Sequence, residues 1–205
     1  MPIDLRALLD PAHTAVVTQE CQQGVIGANA ALPQLAAAAR DTVIPNGARL
    51  VVAARAAGIP VVHCVAMRRE DGRGSNANAR LFHGVLRSPV RLTPGTLAVE
   101  VVPELGPEPD DIVLSRLHGL GPMGGTDLDP VLRNLGVTTI VGIGVSLNVG
   151  MINFVMDAVN AGYQFVLPRD AVAGVPTAYG DAVIDNTLSL LATVITTDEI
   201  VEAWR

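Results

Sequence analysis

The segment from Val141 to Tyr163 constrains the fold more than any other part of the chain. It reads Val-Gly-Ile-Gly-Val-Ser-Leu-Asn-Val-Gly-Met-Ile-Asn-Phe-Val-Met-Asp-Ala-Val-Asn-Ala-Gly-Tyr. This pattern predicts a buried strand, a tight turn containing glycine, and an amphipathic helix that stops at Gly162. The first turn of a helix leaves backbone N–H groups without partners, so this corner suits a site above the sheet. One turn into the helix, where a nucleophile would be most useful, the chain has Gly150.

Predicted strands and helices alternate along the rest of the chain. Strands are predicted at residues 14–18, 60–65, 112–115, 138–142, 164–167 and 194–196. Helices are predicted at residues 35–57 with an interruption near Pro45, 127–135, 151–161 and 176–191, followed by a last turn that Asp198 caps and Trp204 ends. This alternation predicts a single α/β domain, residues 1–205, with a doubly wound, mostly parallel six-stranded sheet between two layers of helices. The segment 67–94 lacks periodicity, which is typical of a lid or binding loop.

Composition excludes several classes of protein. No apolar run reaches the roughly 20 residues that cross a bilayer, and the net charge of −6 without a basic stripe argues against nucleic acid. Two cysteines, Cys21 and Cys64, are too few for a disulfide framework. The N-terminus lacks a cationic segment that leads into an apolar one, so we expect a cytoplasmic protein. All 14 basic residues other than histidine are arginine.

Polar candidates follow the predicted strands. Sites in doubly wound sheets lie beyond the carboxyl ends of the strands, where the chain places Glu20, Arg116 and Ser146. Glu20 comes directly after a buried strand, and a partly desolvated carboxylate suits acid/base chemistry. Its structural alternatives are to cap the following helix or to pair with Arg116.

Five pieces of the chain, in the same order and spacing, resemble the isochorismatase-like (cysteine hydrolase) superfamily. They are residues 14–24, 50–62, 111–116, 125–137 and 141–163. The resemblance covers nearly the whole chain and implies the isochorismatase-like fold. It implies three catalytic positions: Glu20 where the family normally has aspartate, Arg116 in place of a lysine, and Gly150 where most members carry cysteine.

The position of the family's lysine depends on the direction of counting. Counting from Asp111 gives Arg116, whereas counting back from Thr126 gives Leu117. We favour Arg116, because a gap fits more easily into the loop at residues 119–125 than into a strand. Arginine stays charged and cannot shuttle protons as lysine can, but it can hold a carboxylate in a bidentate fork. A purely structural ion pair with Glu20 is an equal alternative.

Six residues are candidates for binding the substrate, from the resemblance and from their places near the predicted strand ends. They are Gln22, Arg80, His118, Ser146, Leu147 and Asn148. Arg80 would correspond to an arginine that grips the substrate's carboxylate, although a solvated loop residue is the simpler interpretation. His118 is a candidate from its place in the loop after the third predicted strand, as an acid/base or polar contact, although a loop histidine is usually solvated. A non-proline cis peptide bond between Val145 and Ser146 is a further expectation from the family.

No metal ion or cofactor is predicted. His63 and His83 form no Asp-x-His array of the kind that binds metal in nicotinamidase-like members, and no phosphate loop or dinucleotide fingerprint occurs. Cys21 and Cys64 are interpreted as small buried hydrophobes. Cys21 should point away from the site if Glu20 points into it, because neighbouring residues on a strand face opposite sides.

Three functions remain open. Gly150 offers no thiol, which argues against amide hydrolysis through an acyl-enzyme, but members that hydrolyse isochorismate also have glycine here. The first hypothesis is a hydrolase without a covalent nucleophile, with Glu20 as acid or base and Arg116 gripping a small anionic metabolite. The others are an inactive relative that binds a small molecule and a pure interaction subunit. We expect a homo-oligomer, since Trp204 near the C-terminus would be exposed in a lone domain.

Overall fold

Residues 3–205, which the computed structural model describes, form a sheet of seven parallel strands with helices around it. In chain order the strands are β1 Thr14–Gln19, β2 Val61–Ala66, β3 Ile112–Arg116, β4 Thr139–Val145, β5 Gln164–Pro168, β6 Val172–Ala173 and β7 Thr193–Ile195. Their spatial order is β3-β2-β1-β4-β5-β7, and β6 pairs with the end of β4. The predicted doubly wound, mostly parallel α/β fold is confirmed.

Nine α-helices flank the sheet in the described part of the chain. They are α1 Leu5–Leu8, α2 Gln23–Ile26, α3 Pro33–Asp41, α4 Val43–Ala56, α5 Arg80–Arg87, α6 Leu128–Asn134, α7 Ile152–Asn160, α8 Thr177–Asn186 and α9 Thr197–Ala203. Short 3-10 turns cover Pro11–His13, Leu97–Val99, Pro103–Leu105 and Leu188–Leu190, and a π-turn at Leu147–Met151 leads into α7. None of these helices is both long and apolar enough to cross a membrane.

Two hydrophobic cores lie on opposite faces of the sheet. Val16 of β1 packs in the same cluster as Leu50 of α4, whereas its neighbour Val17 packs in the cluster that contains Phe154 of α7. This follows from the alternation of side chains along a strand. Every residue of β1 and β4 is buried, as expected for central strands covered on both faces.

Most predicted boundaries hold to within a few residues, and the exceptions have local causes. The predicted helix at residues 35–57 is two helices that meet at Thr42, because Pro45 is tolerated in the first turn of α4 and does not interrupt it. The segment 67–94 is not wholly irregular, since it contains α5. Two residues are too few for β6 to show a pattern in the sequence.

The cap of α9 and the exposure of Trp204 differ from the predictions for the C-terminal region. Thr196, not Asp198, caps α9: its hydroxyl accepts from the backbone N–H of Glu199, and the Glu199 carboxylate accepts from the backbone N–H of Thr196. Trp204 is only half-exposed, because it packs against the core and its indole N–H donates to the carbonyl of Leu9 at 3.0 Å. The argument for an oligomer from an exposed Trp204 is therefore wrong.

Candidate active site

The strand order places a crevice between the ends of β1 and β4. The chain moves outward from β1 through β2 to β3 and then returns to β4 on the other side of β1. This reversal is a topological switch point, where ligands bind in open α/β sheets. Glu20 directly follows β1 and Ser146 directly follows β4. The two strands approach closely at this end, where a Cβ on Gly144 would lie 2.1 Å from the carbonyl oxygen of Gln19.

Glu20 turns out of the sheet into the crevice. Its φ of 53° makes it the only non-glycine residue with positive φ in the described part of the chain, a conformation found mainly where the surroundings enforce it. Its backbone N–H donates to the carbonyl of Cys64 at 2.9 Å. Its side chain is 22% exposed and accepts a hydrogen bond at Oε1 from Nη2 of Arg116. The predicted proximity of the two residues is confirmed.

Arg116, the last residue of β3, is enclosed. Its side chain is 4% exposed, and Nη2 also donates to the carbonyl of Leu120 at 3.2 Å. Nε and Nη1 are buried without a hydrogen-bond partner among the described residues. Arg116, rather than Leu117, therefore meets Glu20, and it holds the carboxylate while its remaining donors are shielded from the crevice.

Gly150 lines the crevice at the turn that leads into α7, and the side chain of Gln19 lies directly behind it. A Cβ at position 150 would come within 2.0 Å of Gln19 Nε2. Gln19 is fully buried at the end of β1, and its amide N–H points to the carbonyl of Leu120 at 3.5 Å. Sequence reasoning missed Gln19. Its position beside Glu20 at the end of a buried strand was the only available signal.

The turn after β4 has the backbone expected from the family. The peptide bond between Val145 and Ser146 is cis. The Ser146 hydroxyl donates to Oδ1 of Asn148 at 2.8 Å, and the Asn148 amide donates to the carbonyl of Val175 at 3.4 Å. Ser146 lines the crevice, but Leu147 packs in the hydrophobic core and Asn148 lies outside the lining.

Gln22 and Arg80 also lie outside the crevice lining. Gln22 is fully buried, and its amide group accepts from the backbone N–H of Ala66 at 2.7 Å and donates to the Ala66 carbonyl at 2.9 Å. It thus fixes the end of β2 against the turn after β1. Arg80 is exposed at the start of α5, in accord with the simpler interpretation.

The crevice opens into a cavity of about 690 Å³. Glu20, Arg116, Ser146 and Gly150 line it together with His118, which is exposed. Most of the remaining lining is apolar. It comes from α2, α3, α5 and the loops beside them, from the loop after β3 and from the turn before α7: Val25, Leu32, Leu35, Met67, Leu81, Phe82, Val85, Val90, Leu92, Leu117, Leu120 and Val149. Charged residues at this cavity besides Glu20 and Arg116 are Arg68, Arg69, Glu70 and Arg91. The arrangement suits an organic ligand that is apolar over much of its surface.

Both cysteines are buried away from the cavity. Cys21 and Cys64 are buried on opposite faces of the sheet, in different cores, and neither lines the cavity. Burial raises the pKa of Cys64 to about 12, and burial together with the charge of Glu20 raises the pKa of Cys21 further. Both thiols are therefore protonated at neutral pH, and a thiol is a poor nucleophile compared with a thiolate.

The histidines do not form a metal centre. In residues 3–205 no group of three histidine, cysteine or acidic side chains could hold an ion. His83 is exposed, whereas His63 is buried between Thr18 Oγ1 at 3.0 Å and Asp111 Oδ2 at 3.3 Å. Desolvation lowers the pKa of His63 although Asp111 opposes this shift. His63 thus belongs to a buried polar network and not to the cavity.

Comparison with known proteins decides the family. The Isochorismatase domain family matches residues 14–199, most of the 205 residues. The chain belongs to the isochorismatase family. Within it, a ureidoacrylate amidohydrolase, RutB of Methylobacterium radiotolerans, is 32% identical over 176 residues, which cover 80% of this chain and 68% of that protein. A probable isochorismatase of Pseudomonas chlororaphis is 27% identical over 202 residues, 98% of this chain and 91% of the relative.

Solved structures of the isochorismatase family share the architecture. The crystal structure of a cysteine hydrolase from Pseudomonas syringae pv. phaseolicola superposes with a TM-score of 0.84 at 25% identity, covering 95% of this chain and 93% of that one. The relatives are hydrolases by name, so membership of the isochorismatase family supports a hydrolase.

Proposed function

We propose that this chain is an isochorismatase-family hydrolase that cleaves a small anionic metabolite without a covalent cysteine nucleophile. The observation that carries the proposal is the pairing of Glu20 with Arg116 at the cavity, beside a glycine at position 150. The Glu20 carboxylate lies at a topological switch point and is partly exposed to the cavity, so it is placed to exchange protons with a substrate or a water molecule. In the described chain no cysteine side chain lines this cavity.

Glu20 acts first as a base in this proposal. Its side chain accepts a hydrogen bond from the Arg116 guanidinium, as an ionised carboxylate does. An ionised carboxylate can take up a proton. Glu20 removes a proton from a water molecule, whose oxygen forms a bond to the electrophilic carbon of the substrate. The bond from that carbon to the leaving nitrogen or oxygen then breaks, and Glu20 returns the proton to the leaving atom.

Arg116 is a positioning residue in this scheme. Its guanidinium holds one oxygen of Glu20, while Nε and Nη1 are enclosed and do not reach a bound molecule. The anion-binding role therefore passes to Arg68 and Arg91, which also line the cavity. Gly150 lies in the turn after β4, where the backbone N–H groups of Val149 and Met151 already donate to the carbonyl of Ser146. In this proposal the backbone N–H of Gly150, at the cavity, donates to developing negative charge.

Activity on a defined panel tests the proposal. The panel takes ureidoacrylate and isochorismate from the names of the relatives and adds N-carbamoylsarcosine from the amidase of Thermoplasma acidophilum that shares the fold. We expect that any hydrolysis is lost by at least 100-fold in Glu20→Gln and kept in Glu104→Gln, since Glu104 is exposed and does not line the cavity. Mass spectrometry of the intact protein during turnover should show no covalent adduct. An acyl adduct on any residue would overturn the proposal.

One observation favours an inactive binding protein as the second candidate. The Oε1 atom of Glu20 is already held by Arg116, and Gln19 fills the space behind Gly150. A protein of this kind would retain a panel molecule unchanged, with equal affinity in Glu20→Gln and in the unaltered chain. A cytoplasmic location, and a small molecule as the partner instead of nucleic acid or a membrane, stay predictions from the sequence.

A further inference from the structure

The face of α5 that borders the cavity has no protein partner. None of its residues is buried, and Leu81 and Val85, one helical turn apart, are 42% and 40% exposed although both line the cavity. Phe82 adjoins them on the same wall. Side chains four residues apart share one face of a helix, so α5 presents an aliphatic and aromatic surface to the empty space.

Leu32 and Leu35 line the same cavity from the start of α3. Leu35 is buried and Leu32 is 55% exposed. A volume of about 690 Å³ is within the range of pockets that enclose ligands of drug size and exceeds what a compact metabolite of a few polar atoms fills. The walls therefore suit a molecule with a hydrocarbon body.

Two arginines add charge to this apolar space. The backbone N–H of Arg68 donates to the carbonyl of Leu92 at 2.7 Å, which places Arg68 and Arg91 on adjoining segments of the cavity wall. In the described chain neither guanidinium has a carboxylate within 4.0 Å, whereas Arg69 pairs with Asp71 at 2.8 Å. Glu70 also lines the cavity and offsets one of the two charges. An anion between Arg68 and Arg91 would satisfy donors that the protein leaves without an acidic partner.

We infer that the ligand is an amphiphilic anion, with an acyl or aryl body of about eight carbons that lies between α3 and α5 and an anionic group that Arg68 and Arg91 hold. This inference rests on the proposed function for the assignment of the reacting group to Glu20, and it names the substrate class of the same site. Burial of the hydrocarbon supplies affinity in proportion to its area, and the arginines fix its orientation.

Calorimetric titration with three probes tests the inference without any need for turnover. Octanoate carries both features, octanamide lacks the charge, and propionate lacks the apolar body. We expect octanoate to bind at least tenfold more tightly than either of the other two. Equal affinities for octanoate and propionate, for octanoate and octanamide, or no binding of octanoate would each overturn the inference.

Variants separate the two halves of the site. Leu81→Ser with Val85→Ser should weaken octanoate about tenfold and leave propionate unchanged, while Leu190→Ser, at an 81% exposed position elsewhere, should change neither. Arg91→Gln should weaken octanoate and leave octanamide unchanged, because one of the two charges is lost, and Arg87→Gln on α5, outside the cavity, should change neither. Circular dichroism checks that the variants fold.

If the double serine variant instead turned an oligomer into a monomer and bound octanoate normally, a second copy would cover α5 and the inference would fail.

The outcomes also separate this inference from the proposed function. Octanoate binding that responds to the variants, in a protein without hydrolytic activity, would support the ligand class and contradict the hydrolase. Turnover of a short polar metabolite that depends on Glu20, with no preference for octanoate, would support the hydrolase and overturn the ligand class.

Discussion

Gln19 and Gly150 share one space at the end of the sheet: a Cβ at position 150 would lie 2.0 Å from the amide nitrogen of Gln19. Gln19 is fully buried, with its amide near the carbonyl of Leu120, and that carbonyl also accepts from Arg116. Any side chain at position 150 must therefore displace Gln19 from a contact that adjoins the Glu20–Arg116 pair. The glycine is part of the packing of this site.

Introducing a cysteine at position 150 should strain the site. We expect Gly150→Cys to lower the free energy of unfolding by about 1–3 kcal/mol, because overpacking of a close-packed interior has a cost of that size. Adding Gln19→Ala should recover part of the loss, since the smaller side chain frees the space. Urea unfolding of the two single variants and the double variant measures the coupling between them.

A matched control for this cycle is Gly124→Ala, where an added Cβ would meet nothing within 4 Å. The native thiols are buried, so reaction of the folded protein with a thiol reagent reports on position 150 alone. We also expect no amidase activity from Gly150→Cys, because Arg116 cannot take the proton-shuttling role of a lysine. A fully stable Gly150→Cys, or one that turns over nicotinamide, would contradict the prediction.

The sequence predicted those parts of the site that depend on the strand order. Glu20 follows a buried strand and Arg116 ends a partly exposed strand at the edge of the sheet, and a parallel sheet brings both strand ends to one side. The choice of these two residues as partners came from the resemblance to the isochorismatase-like superfamily. The cap of α9 was placed two residues too late because Thr196 and Asp198 are both good N-caps, and only the reciprocal contact with Glu199 selects the first.

Contacts between distant segments left no signal in the sequence. Gln22 looked like a ligand-binding residue, but the folded chain brings the backbone of Ala66 within reach of its amide. The burial of Gln19 behind Gly150 depends in the same way on the loop at Leu120. Local sequence patterns do not predict hydrogen bonds between a side chain and the backbone of a distant element, because the polarity of a residue does not show which partner the fold brings close to it.

The buried network around His63 should make stability depend on pH. Desolvation holds the pKa of folded His63 below its ordinary value of 6.5, so the unfolded chain binds more protons as the pH falls below about 6.5. Stability should therefore decrease between pH 7 and pH 5, with a slope of at most about 1.4 kcal/mol per pH unit from this residue. His63→Gln should flatten the slope and His83→Gln, at an exposed position, should not.

The contribution of Asp111 to stability changes at a lower pH than that of His63. Burial alone would raise its pKa, but hydrogen bonds from Arg55 and from the backbone of Glu108 bring it below its ordinary value of 3.8. The stability that it contributes is complete above about pH 4 and is lost only as the pH falls through the folded value. Asp111→Asn should not flatten the slope between pH 7 and pH 5, because loss of this carboxylate lowers the pKa of folded His63 further. Thermal unfolding that is equally pH-dependent with and without His63 would contradict this assignment.

Oligomerisation stays a prediction, and it is now based on exposed apolar side chains other than that of Trp204. Large apolar side chains are exposed on several elements, including Leu190 at 81%, Leu97 at 63% and Val52 at 62%. Exposed apolar side chains that adjoin one another in a patch are commonly covered by another subunit. We expect light scattering at micromolar concentration to give a multiple of the 21.3 kDa chain mass. A monomeric mass would show that these side chains are tolerated in solution.

The Glu20–Arg116 pair should respond asymmetrically to loss of either charge. Glu20→Met leaves the guanidinium of Arg116, whose side chain is 4% exposed, whereas Arg116→Met leaves a carboxylate that is 22% exposed and can turn to water in the cavity. An unpaired charge costs more where burial is deeper, so we expect Glu20→Met to lose about 2–4 kcal/mol and Arg116→Met less. The double methionine variant should lose less than the sum of the two, since it leaves no charge behind. Urea unfolding of the unaltered protein, the two single variants and the double variant measures the free energy of unfolding of each. If the losses in stability were additive, or if Arg116→Met lost more than Glu20→Met, the ion pair would not be what stabilises the buried Arg116.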